Sequence, residues 1–178
     1  MRDGMKNRMR NCRGFTLLEV LIATAIVGIL TLIGFSNLFL WLDHNNHLGF
    51  QRETLSEFQE ARTRAIATRL QHRLIINMDA GRVYVEQGNA GSASDNWVSL
   101  PLNVNAPRGS SIDFVRRSQG GTTTDNTSGT VSIVFNPSGD TFPVDNASVR
   151  LREGGTGASW TIRLYGWTSK ARLINGWP

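Results

Sequence analysis

The chain of 178 residues contains a single cysteine, Cys12. No disulfide can form within it, and no multi-cysteine metal site exists. Proline is scarce too: there are five, none between Phe15 and Leu100. A stretch that long without proline leaves room for one uninterrupted helix. The histidines are three, His44, His47 and His72. His44-x-x-His47 sets two imidazoles on one helix face with no third ligand nearby, so a solvated pair is expected rather than a metal centre. Asp140 and Asp145 lack the spaced run of oxygen ligands that calcium needs and read as turn residues. No G-x-S-x-G nucleophile elbow, P-loop or dinucleotide fingerprint occurs. The expectation is a non-enzymatic chain without cofactor or metal.

What is present is unevenly distributed. The formal net charge is +5, and residues 1–14 alone supply +4 of it, from Arg2, Lys6, Arg8, Arg10 and Arg13 against Asp3. Lys and Arg ahead of an apolar run stay on the cytoplasmic side and orient the segment that follows. The high isoelectric point is therefore weak evidence for nucleic-acid binding.

The apolar run starts at Phe15, and its positions from Val20 to Leu42 are 23 residues without a charge. As a helix they would cover roughly 34 Å, enough for a bilayer core. Ala23-Thr24-Ala25 imitates a secretory cleavage site, but cutting there leaves a short apolar core broken by Glu19. Trp41 suits an interfacial anchor at the far end. Glu19 is the exception in this segment. Near a membrane centre a carboxylate costs roughly 2.5–3.5 kcal/mol on insertion scales, so it either escapes to the interface or needs a cationic partner.

Arg13-Gly14-Phe15-Thr16-Leu17-Leu18-Glu19, followed by about twenty apolar residues, resembles the class III signal of type IV prepilins and pseudopilins. The resemblance implies that a membrane prepilin peptidase cuts between Gly14 and Phe15 and methylates the new N-terminus at Phe15. It implies that Glu19 pairs with the N-terminal amine of Phe15 in an adjoining subunit. A leader of fourteen residues is long for this class, and Met1, Met5 and Met9 are alternative starts. Cys12 leaves with the leader in every case. The disulfide-closed C-terminal loop common in major pilins is then impossible, which points to a minor subunit.

Beyond Leu42 the pattern stays helical to about Arg69. Leu55, Phe58, Ala61, Ala65 and Ile66 form one apolar stripe at three- and four-residue spacing, with Glu53, Glu57, Glu60, Arg62 and Arg64 around it. The period then changes to strands: Leu74–Met78 and Val83–Val85 as a hairpin, Trp97–Leu100, Ile112–Val115, Val131–Phe135 ended by Asn136-Pro137-Ser138-Gly139, Ala147–Arg152 and Trp160–Tyr165. Ser118–Ser128 is polar and Gly/Thr-rich and reads as a loop. The expected fold is α+β: a long N-terminal helix, transmembrane then amphipathic, packed on an antiparallel pilin-like β-sheet head. The expected organisation is a leader at 1–14, a transmembrane half-helix at 15–42, an amphipathic half-helix at 43–72 and a periplasmic β-rich head at 73–178.

The second half is similar to the GspH/FimT group of minor pilins and pseudopilins, on Ala61-Arg62-Thr63-Arg64-Ala65-Ile66, Phe135-Asn136-Pro137-Ser138-Gly139 and Trp160-Thr161-Ile162-Arg163-Leu164. The implied role is a structural subunit of a type IV pilus or a type II secretion pseudopilus, at its tip or in its priming. It is anchored by a single pass in the bacterial inner membrane and partnered by prepilin peptidase and other pilins. Some members of the group bind DNA through a Gly-Arg-x-Arg type motif. Here Gly166-Trp167-Thr168-Ser169-Lys170-Ala171-Arg172 keeps the Gly and a basic-x-basic step, with Trp167 in place of the first basic residue. Lys170, Arg172, Arg163, Arg150 and Arg152, with Tyr165, Trp167 and Trp177, are the candidate contacts for double-stranded DNA. The alternative is a solvated face of ordinary strand charges.

Overall fold

Helix α1 runs from Leu17 to Thr68. Thr16 caps it, its hydroxyl accepting the Glu19 amide at 3.2 Å, so Thr16-x-x-Glu19 has the spacing of a capping box. The helix ends where Arg69 takes a left-handed φ of 56° and Leu70 N donates to the Thr68 hydroxyl. The computed structural model describes residues 15–141 and 143–177, without the side chains at 33, 35–37, 40 and 102. The expected leader, with Cys12, Gly14 and the alternative starts, lies outside the described residues.

The chain divides into two units, Met1–Leu40 and Trp41–Pro178. In the first, every large apolar side chain from Leu17 to Leu32 is exposed. A helix that is apolar all round belongs inside a membrane or a larger assembly. Among the described residues no helix is long and apolar enough to cross a membrane. The uncharged run Val20–Leu42 includes five positions whose side chains lie outside the description.

The second unit holds two antiparallel sheets. One has the order β3-β2-β1-β6, built from β1 (His72–Asn77), β2 (Arg82–Gly88), β3 (Trp97–Asn105) and β6 (Thr130–Phe135). The other has the order β5-β4-β7-β8-β9, built from β4 (Ser110–Gln119), β5 (Thr122–Asn126), β7 (Val144–Glu153), β8 (Ser159–Tyr165) and β9 (Lys170–Asn175). The core joins Phe58, Ala61 and Ala65 of the helix to Leu74, Ile76, Val83, Ile133 and Phe135 of the first sheet. Val115, Val149, Leu151, Ile162 and Leu164 of the second complete it. Arg117 ties the sheets together, donating to the Ser132 carbonyl at 3.2 Å.

Several expectations need correction. Ser118–Ser128 is no loop, because Thr122–Asn126 forms β5 and pairs with β4 from Val115↔Asn126 to Gln119↔Thr122. Gly120 and Gly121, with φ of 56° and 79°, make the two-residue primed turn that fits strand twist. Arg116 then grips Asp125 at 2.7 and 2.9 Å. That grip raises the guanidinium pKa and lowers the carboxyl. β3 continues past Pro101 because it is an edge strand with a register shift opposite Tyr84/Glu86, where a missing N–H is tolerated. β9 forms at Lys170–Asn175, for which the sequence pattern gives no strand range.

The helix stripe also differs. The buried positions are His47, Phe50, Gln51, Thr54, Phe58, Ala61 and Ala65, whereas Ile66 is exposed. Glu57, placed among the solvated charges, is buried. Burial raises its carboxyl, with Glu60 adding to the effect.

Candidate functional site

Three regions bear on function. The first is the start of α1. Glu19 is the one charge between Phe15 and Leu42. It lies in the first helical turn, where the helix dipole favours a carboxylate. Phe15 and Leu17 beside it are each 83 % exposed, so the turn offers a carboxylate inside an uncovered apolar surface.

The second region is the outer face of the five-stranded sheet. Register puts Arg150 opposite Phe114 and Thr161, Arg163 opposite Ser148 and Arg172, and Tyr165 opposite Lys170. Cross-strand partners share a face, so the candidate cations Arg150, Arg152, Arg163, Lys170 and Arg172 come together as the sequence pattern suggested. Their states differ. Arg150 Nε donates to Asp113 at 2.9 Å, and Arg152 stands 4.0 Å from the same carboxylate. The Arg150 and Arg116 guanidiniums lie over Trp177, at 5.3 and 5.2 Å, and Trp177 meets Phe114 edge-on at 4.6 Å. Arg163 lies 5.6 Å over Tyr165. Lys170 and Arg172 are exposed and line a cleft of about 340 Å³ with Gln59, Arg62, Thr63, Ser169 and Ala171. Trp177 is thus a packed member of the face, while Trp167 is 87 % exposed.

The third region was missed by the sequence pattern. His47 is fully buried, contrary to the expected solvated pair. Its Nδ1 shares a hydrogen bond with the Ser110 hydroxyl at 2.8 Å, and its ring sits 4.9 Å from Trp160. His44 Nδ1 lies 3.3 Å from Glu153 Oε1, and the Thr156 hydroxyl donates to Glu153 Oε2 at 2.7 Å. Burial lowers His47, Glu153 opposes, and His44 reinforces. Burial pushes Glu153 up, but its bonds with Thr156 and His44 outweigh that and hold it down. Ser110 and Glu153 face each other in the β4–β7 register, so the cluster ties the helix to one end of the second sheet. The 4,3,4,3,4 spacing of His47, Gln51, Thr54, Phe58, Ala61 and Ala65 is the available signal. No group of three or more potential metal ligands occurs among the described residues.

Comparison with known proteins assigns these features to a family. The prokaryotic N-terminal methylation motif matches residues 9–35. The model of the type II transport protein GspH matches residues 51–168, well over half of the chain. The chain belongs to the GspH family. Its helix-and-two-sheet fold aligns with the minor pseudopilin EpsH from the type II secretion system of Vibrio cholerae. The alignment covers 77 % of this chain and 99 % of that one, at 14 % identity and a TM-score of 0.51. The type IV minor pilin FimU of Pseudomonas aeruginosa aligns over 76 % of this chain and 92 % of its own, at 11 % identity and a TM-score of 0.49. Identities this low show the fold alone. No curated protein matches the sequence. This GspH-family chain is a minor pseudopilin or minor pilin, of a type II secretion system or a type IV pilus. Its N-terminal motif marks it for prepilin peptidase and for anchoring in the inner membrane. The family is one of structural subunits that assemble with other pilins.

Proposed function

We propose that the chain is cut between Gly14 and Phe15, methylated at Phe15, and held through residues 15–42 with its head in the periplasm. It then enters the tip of a filament or primes it. Glu19 pairs there with the Phe15 amine of an adjoining subunit. The observation that carries this reading is the first unit of the helix, whose apolar side chains are exposed on all sides around one carboxylate. Such a surface needs a membrane or neighbouring helices around it. The carboxylate needs a cation there, because a buried ion pair loses far less than a lone buried charge. Glu19→Ala tests it: the variant should stay in the membrane fraction and vanish from sheared filaments. Full incorporation of the variant contradicts the pairing.

The second reading, a receptor for double-stranded DNA, draws support from the sheet's outer face. Arg116, Arg150, Arg152, Arg163, Lys170 and Arg172 stand there against Asp113 and Asp125, and the cleft beside Lys170 and Arg172 has no carboxylate in its lining. Phosphates suit such a face, and binding should weaken steeply with salt. The test is the affinity of the full chain in detergent for duplex DNA across a salt series. Lys170→Ala/Arg172→Ala should reduce both affinity and salt slope; a double variant that binds unchanged contradicts this reading.

A further inference from the structure

The turn between β8 and β9 presents Trp167 to solvent more fully than any other large apolar side chain among the described residues. Disorder does not account for this, because the turn is pinned. Gly166 N donates to the Asp145 carbonyl at 2.7 Å, Thr141 N donates to the Gly166 carbonyl at 3.2 Å, and the Ser169 hydroxyl donates to the same carbonyl at 3.3 Å. Gly166 lies so close to the carbonyls of Val144 and Asp145 that a Cβ there would collide with both. Ser169 is buried in a left-handed conformation, with φ of 46°. An aromatic held out on a rigid frame loses little freedom on contact, which is the property of an interface anchor.

Beside the indole is a hollow of about 270 Å³ lined by Asp140, Val144, Asp145, Gly166 and Trp167. Asn136 Nδ2 and the Ser138 hydroxyl donate to the Asp140 carboxylate at 2.7 and 2.6 Å and fix its position. The hollow therefore gathers a tryptophan, a valine and two aspartates in its lining. Its charge is opposite to that of the cleft at the other end of the turn, which takes Ser169, Lys170 and Arg172. Phosphates are repelled by such a lining, whereas an ammonium or guanidinium is attracted both by the carboxylates and by the indole face.

We propose that this hollow docks an arginine or lysine side chain of a neighbouring filament subunit, with Trp167 as the anchor of the contact. The inference rests on the reading of the chain as a filament subunit and names the chemistry of one of its contacts. It separates two faces of the head, a cationic one and an acidic, aromatic one, that meet at the β8–β9 turn.

The test uses the full-length chain in its own cells, with a photoreactive benzoyl-phenylalanine in place of Trp167. The expected adduct is a peptide of another pilin-like subunit that carries an exposed arginine or lysine. Trp167→Ala should lower recovery in sheared filaments by more than about tenfold, as loss of an interface anchor does, and Trp167→Phe by less. Asp145→Arg should also lower recovery, and reversing the partner's cation to glutamate should restore it. Failure of the charge reversal to restore recovery, an adduct on nucleic acid, or no adduct in a chain that does enter filaments overturns the inference and leaves the filament reading standing. Absence of the wild-type chain from filaments overturns both. Leader removal and membrane insertion, followed in parallel, should be unchanged in every variant.

Discussion

His47 Nδ1 and the Ser110 hydroxyl share a hydrogen bond at 2.8 Å, 63 positions apart in sequence. The bond places a titratable ring where the helix meets β4, next to Trp160 and within the field of Glu153. The amphipathic part of the helix is thus held by two kinds of contact. Phe50, Phe58, Ala61 and Ala65 pack apolar surface, while His47, Gln51 and Thr54 among them bury polar groups that require partners.

Stability should therefore fall as the pH drops below neutrality. Burial lowers both His47 and His72, the latter against its bond to the Leu70 carbonyl. The folded chain keeps both rings neutral where an unfolded histidine, near 6.5, takes up a proton. Their contribution is complete above that value and is lost as the pH falls toward the folded values. The limiting slope is about 1.4 kcal/mol per pH unit for each ring. Glu57 acts in the opposite sense nearer the carboxylate range, because its raised carboxyl takes its proton first in the folded state. Glu153, held low, loses its contribution as the pH falls from the ordinary carboxylate value toward its lowered one. The thermal midpoint should hold level above about pH 7 and drop as the pH is lowered from about 6.5 toward about 5; a flat profile across that lower range contradicts the neutral buried rings.

Phe58 is fully buried between the helix and the sheets. Phe58→Ala should cost about 3–5 kcal/mol in urea unfolding, from lost transfer energy plus the cavity left behind. A loss below about 1 kcal/mol would show that this side chain is not part of a close-packed core.

Two glycines separate close packing from simple turn chemistry. Gly166→Ala drives a methyl into the Val144 and Asp145 carbonyls and should destabilise by about 2 kcal/mol or more. Gly155 has nothing within 4 Å of a Cβ, so Gly155→Ala should stay within about 0.5 kcal/mol of the parent. Equal effects in thermal unfolding would contradict the pinned β8–β9 turn.

The β4–β5 hairpin offers a check by hydrogen exchange. Gly121 has φ of 79°, which a β-branched residue resists. Gly121→Val should strip protection from the amides of Thr122–Asn126 while leaving β7 and β8 protected. Unchanged protection would contradict the two-residue turn.

The parts that could be read from sequence share a physical reason. A helix without proline and strands with clean alternation, such as Val149/Leu151 and Ile162/Leu164, follow from periodicity. The N-terminal signal is a short covalent recognition site that needs no fold to be seen. The missed parts hide from hydropathy. β5 is Thr-Thr-Thr-Asp-Asn, exposed along most of its length, and its real signal was the Gly120-Gly121 pair. His47, Gln51 and Thr54 occupy core positions with polar side chains, so a search for apolar residues passes over them. The sequence of β9 shows its charge more plainly than its strand, although Arg172 faces Arg163 across a regular ladder. Asp113, which pairs with Arg150, sits at a register shift in β4 that alternation alone does not reveal.

The most direct test of the central claim is the N-terminal residue of the chain recovered from membranes and from sheared filaments. Mass spectrometry should find a chain that begins at Phe15, carries one methyl group on its amine, and is present in both fractions. A chain that keeps its leader, or one cut elsewhere such as after Ala25, would contradict the account at its foundation.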